Sequence, residues 1–172
     1  KDKDLQLPEY YQGNSYVIGD KAFYDCGSLT SVVIPDAVTS IGESAFNSCS
    51  NLSSVTLGKG VTSIGSSAFK NCSKLDTIIN YSPLTITKGG STDNGYVGYY
   101  ADKVIYADEQ VGDFLFKTID GIHYLSGYLG KDKDLQLPEN YNGNSYAIEN
   151  SVFYNCDSLI SIIIPDAVTS IG

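Results

Sequence analysis

The sequence predicts an α/β, mostly β fold: a solenoid of short strands and short helical turns, interrupted by a β-rich segment. Three observations predict it. The stretch VTSIGESAFNSC ends at Cys49 and returns 23 residues later as VTSIGSSAFKNC, ending at Cys72. Each such stretch carries two apolar periodicities in a fixed order. Residues 1–42 also reappear as residues 131–172, with 30 of 42 positions identical. Internal periods of this kind mark stacked supersecondary units, none of which buries its own apolar face.

The elements follow from one repeat. Val32 and Ile34 alternate with Ser31 and Val33, the period-two pattern of a half-buried strand. Pro35-Asp36 ends it, because proline has no N–H for a ladder. A short extended piece follows, with Val38 and Ile41 apolar. After Gly42, residues Ala45, Phe46 and Cys49 lie three to four apart, which predicts one face of a single helical turn. The next copy runs Leu52, Val55, Leu57, Val61, Ile64, Ala68, Phe69, Cys72. A third begins at Leu75 and Ile78 and then loses the pattern. A late copy holds Leu159, Ile162, Ile164, Val168 and Ile171. The domain organisation that follows is a repeat block over 1–80, a β-rich segment without the repeat over 81–130, and the start of a second block over 131–172. The chain stops in mid-repeat, so it reads as a piece of a longer array, and the lack of a signal peptide in KDKDLQLPEY carries no weight.

Residues 29–49 (LTSVVIPDAVTSIGESAFNSC) and 52–72 (LSSVTLGKGVTSIGSSAFKNC), with partial copies at 17–26 and 158–172, resemble the leucine-rich repeats of BspA-like proteins. Val152 departs from the pattern, which wants alanine there, and residues 80–130 do not follow it. The resemblance implies a bacterial protein that is extracellular, at the cell surface or secreted. It also implies adhesion, since some relatives bind host matrix glycoproteins.

The cysteines Cys26, Cys49, Cys72 and Cys156 occupy one place in the coil. Coils stack about 4.8 Å apart, so neighbouring cysteines fall within the Cα spacing a disulfide needs, about 4.4–6.8 Å. Their Cβ vectors run parallel, however, and three in a row do not all pair. The expectation is a structural, buried, reduced ladder filling a narrow corner beside phenylalanine. A zinc site needs CxxC or histidine partners, and none stands near. No metal and no cofactor are expected.

Between the blocks, residues 81–130 read as β-rich. FLFKTI-DG-IHYLSGY predicts a hairpin turning at Asp120-Gly121. PLTIT and DKVIY are shorter strand candidates, with KGGSTDNG as a loop between them. The segment either continues the solenoid as irregular coils or forms a β-insertion joining two blocks. Six of its tyrosines, Tyr96, Tyr99, Tyr100, Tyr106, Tyr124 and Tyr128, either cover a local core or offer contact surface.

No catalytic constellation emerges. His123 is the only histidine, and it lies in the hairpin beside Tyr124 with no nucleophile elbow in the chain. GKGVTSIG misses the glycine spacing of nucleotide loops. The KDKD pairs at 1–4 and 131–134 lack a calcium-loop continuation and read as solvated turns. A net charge of −9 argues against nucleic acid and anionic membranes. No apolar run is long enough to insert in a bilayer. What a repeat array does offer is its outward strand residues: Ser31, Val33, Ser54, Thr56, Thr77, Ile79, Ser161 and Ile163. This small, mostly uncharged row predicts a non-catalytic binding surface for a flat partner, a protein or glycan. The resemblance to BspA-like proteins implies that the partner is a host matrix protein, a glycan or another cell-surface protein. A passive spacer in a long cell-wall array is the alternative, and an accessory domain of a secreted enzyme a lesser one. Open coil ends add an expectation of end-to-end self-association.

Overall fold

Fifteen short strands, and no α-helix, occur among residues 3–172, which the computed structural model describes. They fall into two units, Lys1–Ile105 and Tyr106–Gly172.

In the first unit three successive coils each give one strand to each of two parallel sheets, and a fourth gives a strand to the first sheet alone. β1 (Asp4–Gln6), β3 (Ser31–Ile34), β5 (Ser54–Leu57) and β7 (Thr77–Asn80) line up in that order. β2 (Tyr16–Ile18), β4 (Val38–Ile41) and β6 (Ser63–Ile64) form the second sheet. The register follows the 23-residue period, with Ser31 opposite Ser54 and Ser54 opposite Thr77. Alternation decides which side chains enter the core: Val32, Ile34, Val55, Leu57 and Ile78 are buried. Polar side chains reinforce the stacking at the same spacing, as where the Lys59 amide donates to Asp36 Oδ1 at 2.7 Å.

The third side of the coil differs from the expected helical turn. Ala45, Asn47 and Cys49 each donate to the carbonyl three residues back, on Gly42, Ser44 and Phe46. Between them, the amides of Ser44, Phe46 and Ser48 donate to Ser66, Ala68 and Lys70 of the next coil, at 2.8–3.0 Å. Every second N–H is thus spent between coils and the others reach only three residues back, so no continuous α-helical ladder forms. The price in conformation is a left-handed residue at two places per coil: Lys21 and Asp25, Ser44 and Ser48, Ser67 and Asn71, Ser151 and Asn155. Asparagine and aspartate tolerate this region better than most side chains, and the serines are at least small and unbranched. Lysine has no such excuse, and Lys21 is exposed at φ 56°. Lys21→Gly is therefore expected to raise stability by about 0.5–1 kcal/mol, read as a higher urea midpoint.

The phenylalanines stack on this side. Phe23 and Phe46 lie 5.0 Å apart, and Phe46 and Phe69 5.2 Å apart, with ring planes within 11° of parallel. The repeat ends at Asn80, which takes the inward rung opposite Leu57. It is buried yet satisfied, donating to the Leu84 carbonyl and accepting from the Ser82 amide and hydroxyl. Residues 83–87 then form no strand, contrary to the PLTIT expectation, because the asparagine turn diverts the chain and the Thr85 carbonyl is taken by Asn94 Nδ2. Val97, Ile86 and Ala101 close over the last coil's core, and the Gly95 carbonyl accepts from the Phe69 amide. The DKVIY strand is β8 (Lys103–Tyr106), next to β7 in the sheet.

The second unit pairs a hairpin with two coil strands. β9 (Glu109–Val111), β10 (Phe114–Ile119) and β11 (Ile122–Tyr128) are antiparallel. Asp120 and Gly121 both have positive φ, as the two-residue turn requires. β12 (Asp134–Gln136) pairs in parallel with β14 (Ser161–Ile163). β13 (Tyr146–Ile148) lies between β11 and β15 (Val168–Ile171), parallel to both. Phe116, Leu125, Leu135, Tyr141 and Tyr146 form its core. Burial first, then the Glu109 hydrogen bond, pushes the Tyr141 hydroxyl up to about 12.

Candidate functional site

The outward strand residues form two in-register rows on the first unit. One runs Ser31, Ser54, Thr77 and the other Val33, Thr56, Ile79. Val33 is exposed and the other five are half-buried, each shouldered by the coils beside it. Ser161 and Ile163 occupy the matching places on β14 of the second unit, and both are exposed.

The rows begin one residue pair earlier than the sequence suggested. Asp4 stands opposite Ser31 and Gln6 opposite Val33, and Asp134 and Gln136 repeat this on β12. Asp4 and Asp134 are therefore strand residues, not solvated turns; Lys1 and Asp2 of that motif lie outside the described residues. Ser31 Oγ donates to Asp4 Oδ1 at 2.7 Å and Ser161 Oγ to Asp134 Oδ1 at 2.6 Å. The Ser31 and Thr30 hydroxyls hold the Asp4 carboxyl below its ordinary value. The signal was in DLQL, where Leu5 and Leu7 alternate with Asp4 and Gln6. The surface is thus a small uncharged field with the Asp4 carboxylate at one margin and Lys103, the first residue of the neighbouring strand β8, at the other.

The cysteines do something the sequence did not reveal. Cys49 and Cys72 are fully buried, Cys26 and Cys156 half-buried, and none is in a disulfide. The Cys49 thiol donates to the Phe23 carbonyl at 3.2 Å, and the Cys72 thiol to the Phe46 carbonyl at 3.1 Å. Each sulfur fills the corner and also serves an acceptor on the preceding coil. The neighbouring Cys49 thiol, and then burial, push the Cys72 thiol well above the usual range. Denatured protein is expected to titrate four thiols with no reductant added, while Cys49 and Cys72 stay unreactive to a thiol reagent in the native state. A native Cys49–Cys72 adduct formed within minutes would contradict this burial.

His123 packs against Tyr141 rather than Tyr124, since neighbours on a strand point to opposite faces; its ring lies edge-on at 5.2 Å. Its Nδ1 meets Thr118 Oγ1 at 3.0 Å as a cross-strand pair. Among the segment's tyrosines, Tyr128 is buried, Tyr96, Tyr99, Tyr106 and Tyr124 are half-buried, and Tyr100 is exposed. Tyr99 meets Tyr100 edge-on at 4.8 Å. Among the described residues, no three His, Cys, Asp or Glu side chains gather as a metal site. Nor is any helix long and apolar enough to cross a membrane.

Parallel strands repeating every 23 residues, with leucine at the strand entry and a turn row opposite, define a leucine-rich repeat solenoid. The chain belongs to the BspA-type leucine-rich repeat family, whose sequence model matches residues 15–91 and 133–172 in six copies. No curated protein matches it significantly. Among solved structures it is similar to a leucine-rich repeat protein of T. pallidum, at 20% identity and TM-score 0.43, covering 98% of this chain and 72% of that one. A leucine-rich repeat protein of Bacteroides ovatus matches at 24% identity and TM-score 0.39, over 91% of this chain but 36% of that one. A leucine-rich cell surface protein of Faecalibacterium prausnitzii matches at 20% identity and TM-score 0.28, covering 99% of this chain and 69% of that one.

Proposed function

We propose that the protein is a non-catalytic, extracellular adhesion module of a bacterial cell-surface protein, presenting its strand rows to a protein or glycan partner. The observation that carries this reading is the pair of aligned rows on β3, β5 and β7, uncharged and open along one face. Such a surface lets a flat partner approach without desolvating fixed charges, which is the costly part of forming an interface core. Family membership supports the surface location.

The test is binding of the protein to immobilised matrix proteins and glycans, alongside a Ser54→Lys/Thr56→Lys variant. Both substitutions sit on the central strand β5 and place two ammonium groups in the middle of the rows. Saturable binding near about 1 μM, weakened at least about tenfold in the variant, is the expected result. Binding that survives the variant would move the site to the tyrosine-rich segment. No binding to any immobilised partner would favour the passive spacer.

A further inference from the structure

Residues 1–42 and 131–172 carry nearly the same sequence, yet equivalent side chains are buried to very different extents. Tyr11 is 62% exposed and Tyr141 only 6%; Val17 is 59% exposed and Ala147 only 5%. Tyr16 is half-buried, whereas Tyr146 is fully buried. The difference has a visible source. In the second unit the β9–β10–β11 hairpin lies over this face. Phe116 stacks on Tyr141 at 4.3 Å and meets Tyr146 edge-on at 5.4 Å. The Tyr141 hydroxyl donates to Glu109 Oε2 at 2.7 Å. β11 runs parallel to β13 with Leu125 opposite Ile148, and the Glu149 amide donates to the Leu125 carbonyl at 3.0 Å. At the strand's end, Tyr128 reaches Phe153 with ring centroids 6.0 Å apart.

The first unit has the receiving half of this arrangement. β2 is an edge strand paired with β4 alone among the described residues. Against Phe23, between β1 and the turn row of the same coil, lies an open groove of about 800 Å³ whose apolar lining is Leu5, Phe23, Cys26 and Leu29, with Asp4 and Asp25 also on its wall. Phe23 is the counterpart of Phe153, so the groove lies where the counterpart of Tyr128 would rest. A strand with one free edge, next to the exposed Tyr11 and the half-buried Tyr16 and Phe23, is a template for β-augmentation.

We propose that the β2 edge, with Tyr11, Tyr16 and Phe23, is the docking site for a further copy of the hairpin of residues 106–130, standing before residue 1 as that hairpin stands before residue 131. The hairpin is then the coupling element between successive long repeats. Its aromatic face covers the first coil of the next repeat, and its last strand extends the sheet that this coil begins. The choice of occupant rests on the residues that the two receiving faces share, Tyr11, Tyr16, Ile18 and Phe23 matching Tyr141, Tyr146, Ile148 and Phe153, and on the contacts that the second set already makes. Three changes of size mark the face: alanine to Val17 adds two methyl groups where Tyr124 would lie opposite, Val152 is replaced by Ala22, and Gly19 lacks the carboxylate with which Glu149 pairs to Lys117 of the hairpin at 2.7 Å.

The test extends the full chain at its N-terminus with a second copy of its own residues 81–130. Amide hydrogen exchange is then followed at Val17 and Gly19, the counterparts of Ala147 and Glu149. Exchange at least roughly tenfold slower than in the unextended chain is the expected result. Phe116→Ala in the added copy alone, or Tyr11→Ala in the receiving unit, should restore fast exchange. The Tyr11 variant leaves the added hairpin unaltered and so separates loss of docking from loss of hairpin structure. Unchanged exchange at both amides would overturn the proposal. Protection that already exists in the unextended chain and fades on dilution would make a second copy of the chain the occupant, and would overturn it equally.

Discussion

Phe46→Ala is expected to cost about 4 kcal/mol of stability and to lower the urea midpoint of the first unit accordingly. Phe46 is fully buried and lies between Phe23 and Phe69, at 5.0 and 5.2 Å. Truncation removes the apolar burial of one ring and both of its stacking contacts, each worth about 0.5–1.5 kcal/mol beyond area. It also opens a void that two close-packed neighbours do not refill, because their backbones are tied to the adjacent coils by the turn-row hydrogen bonds. A domain of this size has only about 5–15 kcal/mol in hand, so the loss is a large share of the total. The end of the stack provides the control. Phe23 is half-buried and touches one ring rather than two, so Phe23→Ala should cost less than half as much. Equal losses at the two positions would mean that the stack does not carry the stability assigned to it here.

The solenoid was legible because its signals are redundant. Val32, Ile34, Val38 and Ile41 recur as Val55, Leu57, Val61 and Ile64, and a strand face or a coil corner has few other uses for that pattern. The turn row was misread because Ala45, Phe46 and Cys49 share one face in a helix and also in a ribbon of tight turns. Spacing alone does not distinguish them. The residues at positive φ in this coil, Ser44 and Ser48, gave little warning, since serine is ordinary in a helix by rank. The sharper signal was Asp25, Asn71 and Asn155 at the equivalent place in the other coils. The rows of the candidate surface were legible from Ser31 onward, but their start at Asp4 was hidden by the alternating charges of KDKD, which suggested a solvated turn. The thiol-to-carbonyl bonds were out of reach, since nothing in Cys72 itself names the Phe46 carbonyl as its partner. Nor does sequence explain why Tyr11 and Tyr141 differ, because their local sequences are almost the same. What separates them is a hairpin far along the chain, and burial of that kind is a property of the neighbour.

A last case sets sequence consensus against geometry. The first coil has Pro35-Asp36-Ala37 where the second has Gly58-Lys59-Gly60. The late copy again reads Pro165-Asp166-Ala167, so restoring that pattern in the second coil looks like an improvement. The structure predicts the reverse: Gly60→Ala should destabilise by about 3 kcal/mol. Neither glycine has positive φ, so conformational freedom is not what selects them. Space is. A Cβ on Gly60 would lie 2.0 Å from the Asp36 carbonyl oxygen, and one on Gly58 2.6 Å from that of Ile34. Both obstacles are backbone atoms of the preceding coil, which no rotamer change moves. The Lys59 amide, bonded to Asp36 Oδ1 at 2.7 Å, holds the two coils at that distance. On a tolerant loop the same substitution would gain about 0.4–1 kcal/mol by restricting the unfolded chain, so the two accounts differ in sign. Urea midpoints of the parent chain and Gly60→Ala decide between them. A lower midpoint shows that coil-to-coil contact selects glycine here. A higher one would show that the coils separate at little cost, and that the second coil's glycines are drift within the repeat.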